Sequence, residues 1–365
     1  MKRLLLPLLL TATAFAQGPL VPPSTSGPQV GPVAPLDGSG NPQANMKTLY
    51  QVEPRTPVQS LAVSAPYTIG QPGSYYLTGN ITVASGDAIV ITSDDVSLDL
   101  NGFTIKSTFS GGTSGTAVYV SGSHSRLTIR KGSIVSSTTV PASGSPTYGG
   151  FGNGIFSNGI ISQALVSEIH VTGAGVSGIY LDVQGVAERC TVANSGDTGI
   201  VAEEVRDCSA KNCYGVAIQA QASATNCSGT STNGTGLYAV QNATNCSGAS
   251  TNGNGAYVAN NALNCSATSI YGYGLFVINN ATNCFGTSTN GTGLYSGRNA
   301  TNCSGVTLGN SGKGLWVIGT ATTCYGQYPG GGSSATGLKA AIAIGCTYTS
   351  GGNGLDVPVG KSFNM

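Results

Sequence analysis

Three sets of residues could carry chemistry in this 365-residue chain, and the cysteines come first. Nine of the ten fall at 190, 208, 227, 246, 265, 284, 303, 324 and 346, in steps of 18, 19, 19, 19, 19, 19, 21 and 22. Regular thiols suggest metal or redox work, yet no C-x-x-C pair stands with a zinc partner. The leading reading is a ladder of Cys190, Cys208, Cys227, Cys246, Cys265, Cys284, Cys303, Cys324 and Cys346 buried as small hydrophobes. Disulfides between neighbouring units are the alternative, since export and a short repeat spacing both permit them. Cys213 stands outside the period, and its sequence reads as a loop.

Carboxylates are the second set. None occurs between Cys208 and Leu355. Glycoside hydrolysis normally uses two carboxylates across the scissile bond, and calcium needs clustered oxygens. Any such site must lie upstream, where Glu168, His170, Asp182, Glu188, Arg189, Asp197, Glu203, Glu204, Arg206, Asp207 and Lys211 crowd three units. Within that patch Glu168, His170, Glu203 and Arg206 are the catalytic candidates; the bland reading is a solvated surface whose Glu188, Arg189, Arg206 and Asp207 pair across one bend. His124 is isolated, and Asp94, Asp95 and Asp99 read as turn and strand-surface residues.

The third set is aromatic. Tyr238, Tyr257, Phe276, Tyr295 and Trp316 recur at the repeat period, preceded by Phe156, Tyr180, Val201 and Gln219 and followed by Lys339 and Asp356. Stacked rings on one outer face stabilise a sheet, and an exposed aromatic strip also suits a contact surface such as a sugar chain.

What must position these residues is the repeat itself. "ATNCSGTSTNGTGLYAVQ" and "ATNCFGTSTNGTGLYSGR" are nearly the same eighteen residues, written at 224 and 281. A fixed period of this length marks a stacked architecture, and nothing in the unit has helical spacing. Nineteen residues make one turn of a solenoid, with Ala224, Cys227, Leu237 and Ala239 inward and Tyr238 outward. Asn226, Asn245, Asn264, Asn283 and Asn302 each precede a ladder cysteine. Asparagine tolerates the left-handed conformation of a sharp bend, and stacked amides can bond along a ladder. Asp207 and Arg189 hold the equivalent positions upstream. Thr225, Thr244, Thr282 and Thr301 form a second outward column broken by Leu263; one interrupted threonine per strand is a poor ice-binding array.

Residues 1–16 read as a secretory signal, with Lys2 and Arg3 before an apolar run and Ala14-Phe15-Ala16 as cleavage site. Residues 17–50 read as a Pro/Gly/Ser-rich linker, 51–85 as an N-terminal cap with first strands, and 86–365 as the solenoid. Charged residues are 8% of the chain against about 25% ordinarily, and net charge is +1. That balance argues against a nucleic-acid partner, and no later segment is apolar enough to span a membrane. The expected place is secreted, periplasmic or at the cell surface, and no cofactor is expected.

The stretches "EPRTPV", "GSYYLTGNITV", "VSLDLNGFTI", "LTIRKGSIV" and the "NCSG…NGTGLY" units resemble secreted bacterial right-handed parallel β-helix repeat proteins, of the pectate-lyase-like superfamily, over about residues 50–357. The resemblance implies an all-β, single-stranded right-handed parallel β-helix of about twelve coils. It implies no particular activity, because that fold hosts lyases, hydrolases, tailspikes and binding proteins alike. Three functions follow as expectations. The first is a non-catalytic extracellular protein binding polysaccharide or cell-surface glycan along the aromatic column. The second is a polysaccharide lyase or hydrolase working from the 168–211 patch. The third is a rigid spacer or assembly module.

Overall fold

The computed structural model describes residues 55–330, 334–351, 353–358 and 362–363. The signal and linker segments read from the sequence lie outside the described residues.

Inward apolar side chains alternate with outward polar ones in short runs, so the chain folds as short strands separated by bends. Successive turns pair in parallel, in register, along three ladders. The first ladder begins at Tyr67–Ile69 and climbs through Ile89–Ile91, Leu237–Ala239 and Leu294–Ser296 to Asn353–Asp356. The second includes Gly73–Tyr76, Val96–Asp99, Ala243–Thr244 and Ala300–Thr301. The third includes Ile81–Val83, Thr104–Ser107, Ser228–Ser231 and Thr347–Ser350. The result is an all-β parallel solenoid of about fourteen turns, not twelve. Two physical reasons account for the difference. The strands within 67–83 already pair into all three ladders, so this segment is a full turn. A further turn also closes at the other end, where Asn353–Asp356 pairs with Thr336–Lys339.

The core runs along the axis. Early turns fill it with large aliphatics such as Ile89, Leu98, Ile129, Ile155 and Val166, all buried. From Cys208 onward the second ladder contributes alanines instead, Ala224, Ala243, Ala262, Ala281 and Ala300, beside the cysteines. The bend after the second ladder has one conformation throughout. Lys131, Glu168, Arg189, Asp207, Asn226, Asn245, Asn264, Asn283, Asn302 and Thr323 all lie at φ between 49° and 58°. Where asparagines follow one another, the amides bond up the rod: Asn245 Nδ2 donates to Asn226 Oδ1 at 3.1 Å, Asn264 to Asn245 at 3.1 Å, and Asn283 to Asn264 at 3.2 Å. Asn226 donates to Asp207 at 2.9 Å, joining the early turns to the uniform ones.

Two further ladders were not anticipated. Asn261, Asn280 and Asn299 each donate to the asparagine one turn back, starting at Asn242. In the third ladder the buried hydroxyls of Ser250, Ser269, Ser288 and Thr307 donate to glycine carbonyls of the preceding turn at 2.6–2.7 Å. Among the described residues no buried side-chain polar atom lacks a partner, as a polar, thin-cored solenoid requires.

Candidate functional site

The nine cysteines share one column, as the period implies. Each backbone carbonyl from Cys190 to Cys303 accepts from the residue after the next ladder cysteine. All are free thiols, and all are buried. Each sulfur donates to the carbonyl two residues before it, at 3.1–3.4 Å. The adjacent thiol, the largest influence at each, pushes the Cys208, Cys246, Cys284, Cys303 and Cys346 thiols up from their ordinary value and holds those of Cys190, Cys227, Cys265 and Cys324 below it. Burial opposes the thiolate at all nine, and the column packs the core as small buried side chains.

Cys213 departs from the sequence reading. It is a strand residue of Ser209–Cys213, not a loop residue. A register shift between Ala210 and Cys213 aligns it with Ser231, so it heads the column of buried hydroxyls. Burial pushes its thiol up to about 12.

The polar patch does not converge. Asp182, in the short turn Asp182–Gln184, and Glu203 and Glu204, within Thr198–Arg206, lie where the first ladder passes into the second. Glu168, Arg189 and Asp207 occupy the bend after the second ladder, with Glu188 and Arg206 just before it. His170 and Lys211 lie on the third ladder. Asp197 lies beyond, on the way back to the first. Sequence proximity within a solenoid distributes residues around the axis instead of gathering them. Arg189 pairs with Glu168 at 3.3 Å and with Glu188, whereas Arg206 pairs with Glu204 and not with Asp207 or Glu188. His170 Nδ1 meets Thr191 Oγ1 at 2.7 Å. These are exposed pairs of small energetic worth, about 0–1 kcal/mol each.

Upstream, Asp99 departs from its surface reading. It is buried, 3.2 Å from Arg130 Nε, and accepts the Asn101 N–H at 2.8 Å. Asp94 and Asp95 do sit at a turn, exposed, where they meet His124 at 3.3 Å and Arg126 at 2.5 Å. A backbone N–H from Ser125, and then His124, hold the Asp94 carboxyl below its usual range.

The aromatic column is realised in register. Tyr238, Tyr257, Phe276, Tyr295 and Trp316 are successive partners on the first ladder. Centroids of the first four stand 5.0, 5.1 and 4.6 Å apart with planes within 12° of parallel, and Trp316 turns edge-on to Tyr295. Lys313 Nζ sits 4.4 Å over the Trp316 ring. Tyr119, Phe156 and Tyr180 form a second, looser stack that begins one turn earlier than the sequence suggested. Val201 and Gln219 separate the two. Two residues beyond each later ring lies another outward column, in which Val240, Ile278 and Ile318 are exposed. The C-terminal first ladder is thus a band of half-buried rings and aliphatics, ending at Lys313 over Trp316 and the Lys339–Asp356 ion pair. The rings present edges outward, because their faces cover one another. Burial, then the adjacent Tyr238, raises the Tyr257 phenol above its ordinary value.

The Thr225 column is confirmed, and Thr322 extends it. Among the described residues no cluster of three ligating side chains could hold a metal, and no helix is long and apolar enough to cross a membrane.

No family model matches the chain. No curated protein matches it either. Among solved structures it is similar to the Dettilon tailspike protein (gp208), at 14% identity and a TM-score of 0.35, over 81% of this chain and 60% of that one. The chain thus spans about 60% of that protein's length. A likeness of that size adds nothing to the fold that the ladders already establish.

Proposed function

We propose that the chain is an exported, non-catalytic β-solenoid that contacts a polysaccharide along the C-terminal half of its first ladder. The observation that carries this reading is the band itself: five aromatic partners in register beside exposed Val240, Ile278 and Ile318, with no carboxylate between Cys208 and Leu355. Exposed apolar strips of this kind are contact surfaces more often than accidents. Tyrosine and tryptophan combine apolar bodies with polar points, which suits a sugar chain. The division of the 168–211 patch over separate sides of the rod weighs against a hydrolase or lyase built from it.

A spacer function is favoured by one specific observation, the use of ring faces against each other, since this stiffens the rod without needing a ligand. Glycan-array binding by the full chain separates the two. Hits that Tyr257→Ala with Tyr295→Ala removes support polysaccharide contact. An array without hits, together with concentration-dependent assembly, leaves the spacer.

A further inference from the structure

A second concave surface lies away from the C-terminal band, at the corner where the third ladder returns to the first. Thr113, Tyr148, Val176, Asp197 and Tyr214 line a cleft of about 470 Å³, within the usual range of small-ligand sites, about 300–1,000 Å³.

Its floor is three successive turns. Asp197 N–H donates to the Val176 carbonyl at 3.1 Å, and Gly215 N–H to the Asp197 carbonyl at 2.8 Å. Its wall is the long insertion between Val135 and Asn153. There Thr139 and Thr147 exchange backbone hydrogen bonds at 2.9 and 3.0 Å. The buried Thr138 hydroxyl both donates to the Gly149 carbonyl and accepts the Gly149 N–H, each at 3.1 Å. Tyr148 sits between these two clasps, so its backbone is fixed while its ring stays 48% exposed. A ring held in place without a ligand loses little freedom on binding one.

Two glycines make the lining possible. A Cβ on Gly196 would stand 2.7 Å from Tyr148 Cε1, and one on Gly215 only 2.1 Å from Asp197 Oδ1. The ring and the carboxylate therefore lie directly on bare backbone, spread along the cleft.

We propose that this cleft binds an oligosaccharide free of acid groups, with an amino sugar preferred beside Asp197. The two tyrosines supply apolar contact for C–H faces of sugar rings. Asp197 accepts from sugar hydroxyls and pairs with an ammonium, to which the rings also offer their π faces. Among the described residues no lysine, arginine or histidine lines the cleft, so a uronate would meet the Asp197 charge uncompensated. The proposal rests on the polysaccharide reading above but uses different residues, 113–214 instead of 238–318.

The test is titration calorimetry of the full chain with a glucosamine hexamer, cellohexaose and a galacturonate hexamer. The glucosamine hexamer binds at least tenfold more tightly than the galacturonate hexamer. Tyr148→Ala and Tyr214→Ala each weaken it at least tenfold without lowering the melting temperature, and Tyr214→Phe retains it. Asp197→Asn abolishes the amino-sugar preference but leaves cellohexaose binding. Failure of all three hexamers to bind, preference for galacturonate, or indifference to both tyrosine-to-alanine changes overturns the proposal. Loss of binding in Tyr257→Ala alone sinks the cleft and leaves the first-ladder reading standing. Loss in the cleft variants alone does the reverse.

Discussion

The turns before Cys208 and those after it share one backbone and differ in how they are filled. Early turns bury isoleucine, valine and leucine, carry insertions, and hold their bends with Lys131, Glu168, Arg189 and Asp207. Later turns keep leucine and valine on the first ladder but bury alanine and cysteine on the second, hold a step of nineteen from Cys208 to Cys303, and make the same bend with asparagine from Asn226 to Asn302. The bend conformation thus does not depend on asparagine. Asparagine adds a neighbour-to-neighbour amide bond, which works only when the next turn also has one. Uniformity in the later half is a consequence of such ladders, because each turn sees a copy of itself. Irregularity in the early half leaves room for a cleft.

The core gives the largest expected contrast. Ile169 precedes Cys190 in the same inward column, since His170 and Thr191 are register partners. Ile169→Ala should cost about 2–5 kcal/mol as a cavity in large aliphatic packing. Cys265→Ala in the same column should cost about 1 kcal/mol, because little side chain is removed. Denaturant midpoints measure both; equal losses would erase the distinction between the halves.

Alkaline pH follows in size. The Cys213 thiol titrates at about 12 in the fold, against an ordinary value of 9.0. Above pH 9 the unfolded chain gives up this proton first, so stability is whole below pH 9 and falls as pH rises toward 12. The slope is about 1.4 kcal/mol per pH unit for one such thiol. Cys213→Ser puts there the hydroxyl that Ser231 supplies one turn on, and should make the alkaline loss shallower by that amount in pH-dependent melting.

Much of this was legible in the sequence, and the failures have physical causes. The period survived because each thiol column has one inward position per turn, so spacing reported geometry directly. Cys213 was read as a loop residue because it falls outside the period, whereas a register shift, which spacing does not report, carries it onto the third ladder opposite Ser231. The charged patch was read mainly as a solvated, paired surface, with a site as the alternative, because its residues are close in sequence; a solenoid turns that closeness into different sides. The cleft left no local motif. Its parts come from five separate segments, and the signals were the long insertion and the repeated Gly175, Gly196 and Gly215 spacing.

Ring stacking gives a smaller effect. Tyr257→Ala removes two stacked contacts and should cost about 1–3 kcal/mol, whereas Tyr180→Ala ends only one tilted contact and should cost less. Parallel thermal melts of the two variants rank them. The smallest contrast lies at the bend. Asn264→Ala loses amide bonds to both neighbours and places alanine at φ 53°, for about 1–2 kcal/mol. Arg206→Ala loses one exposed ion pair and should cost under about 1 kcal/mol. Urea titrations that reverse this order would show that charged bends, not amide ladders, stabilise the rod.

The central claim is that each unit closes one turn and stacks on the next in register. Thr225 and Thr322 are outward on the second ladder, linked through Thr244, Leu263, Thr282 and Thr301. Spin labels on cysteines introduced at these two positions, with the native thiols buried, report the stacking by pulsed dipolar spectroscopy. Five spacings of about 4.8 Å predict a narrow distance distribution centred near 24 Å. A broad distribution, or a centre far from that value, would contradict the stacked-turn architecture.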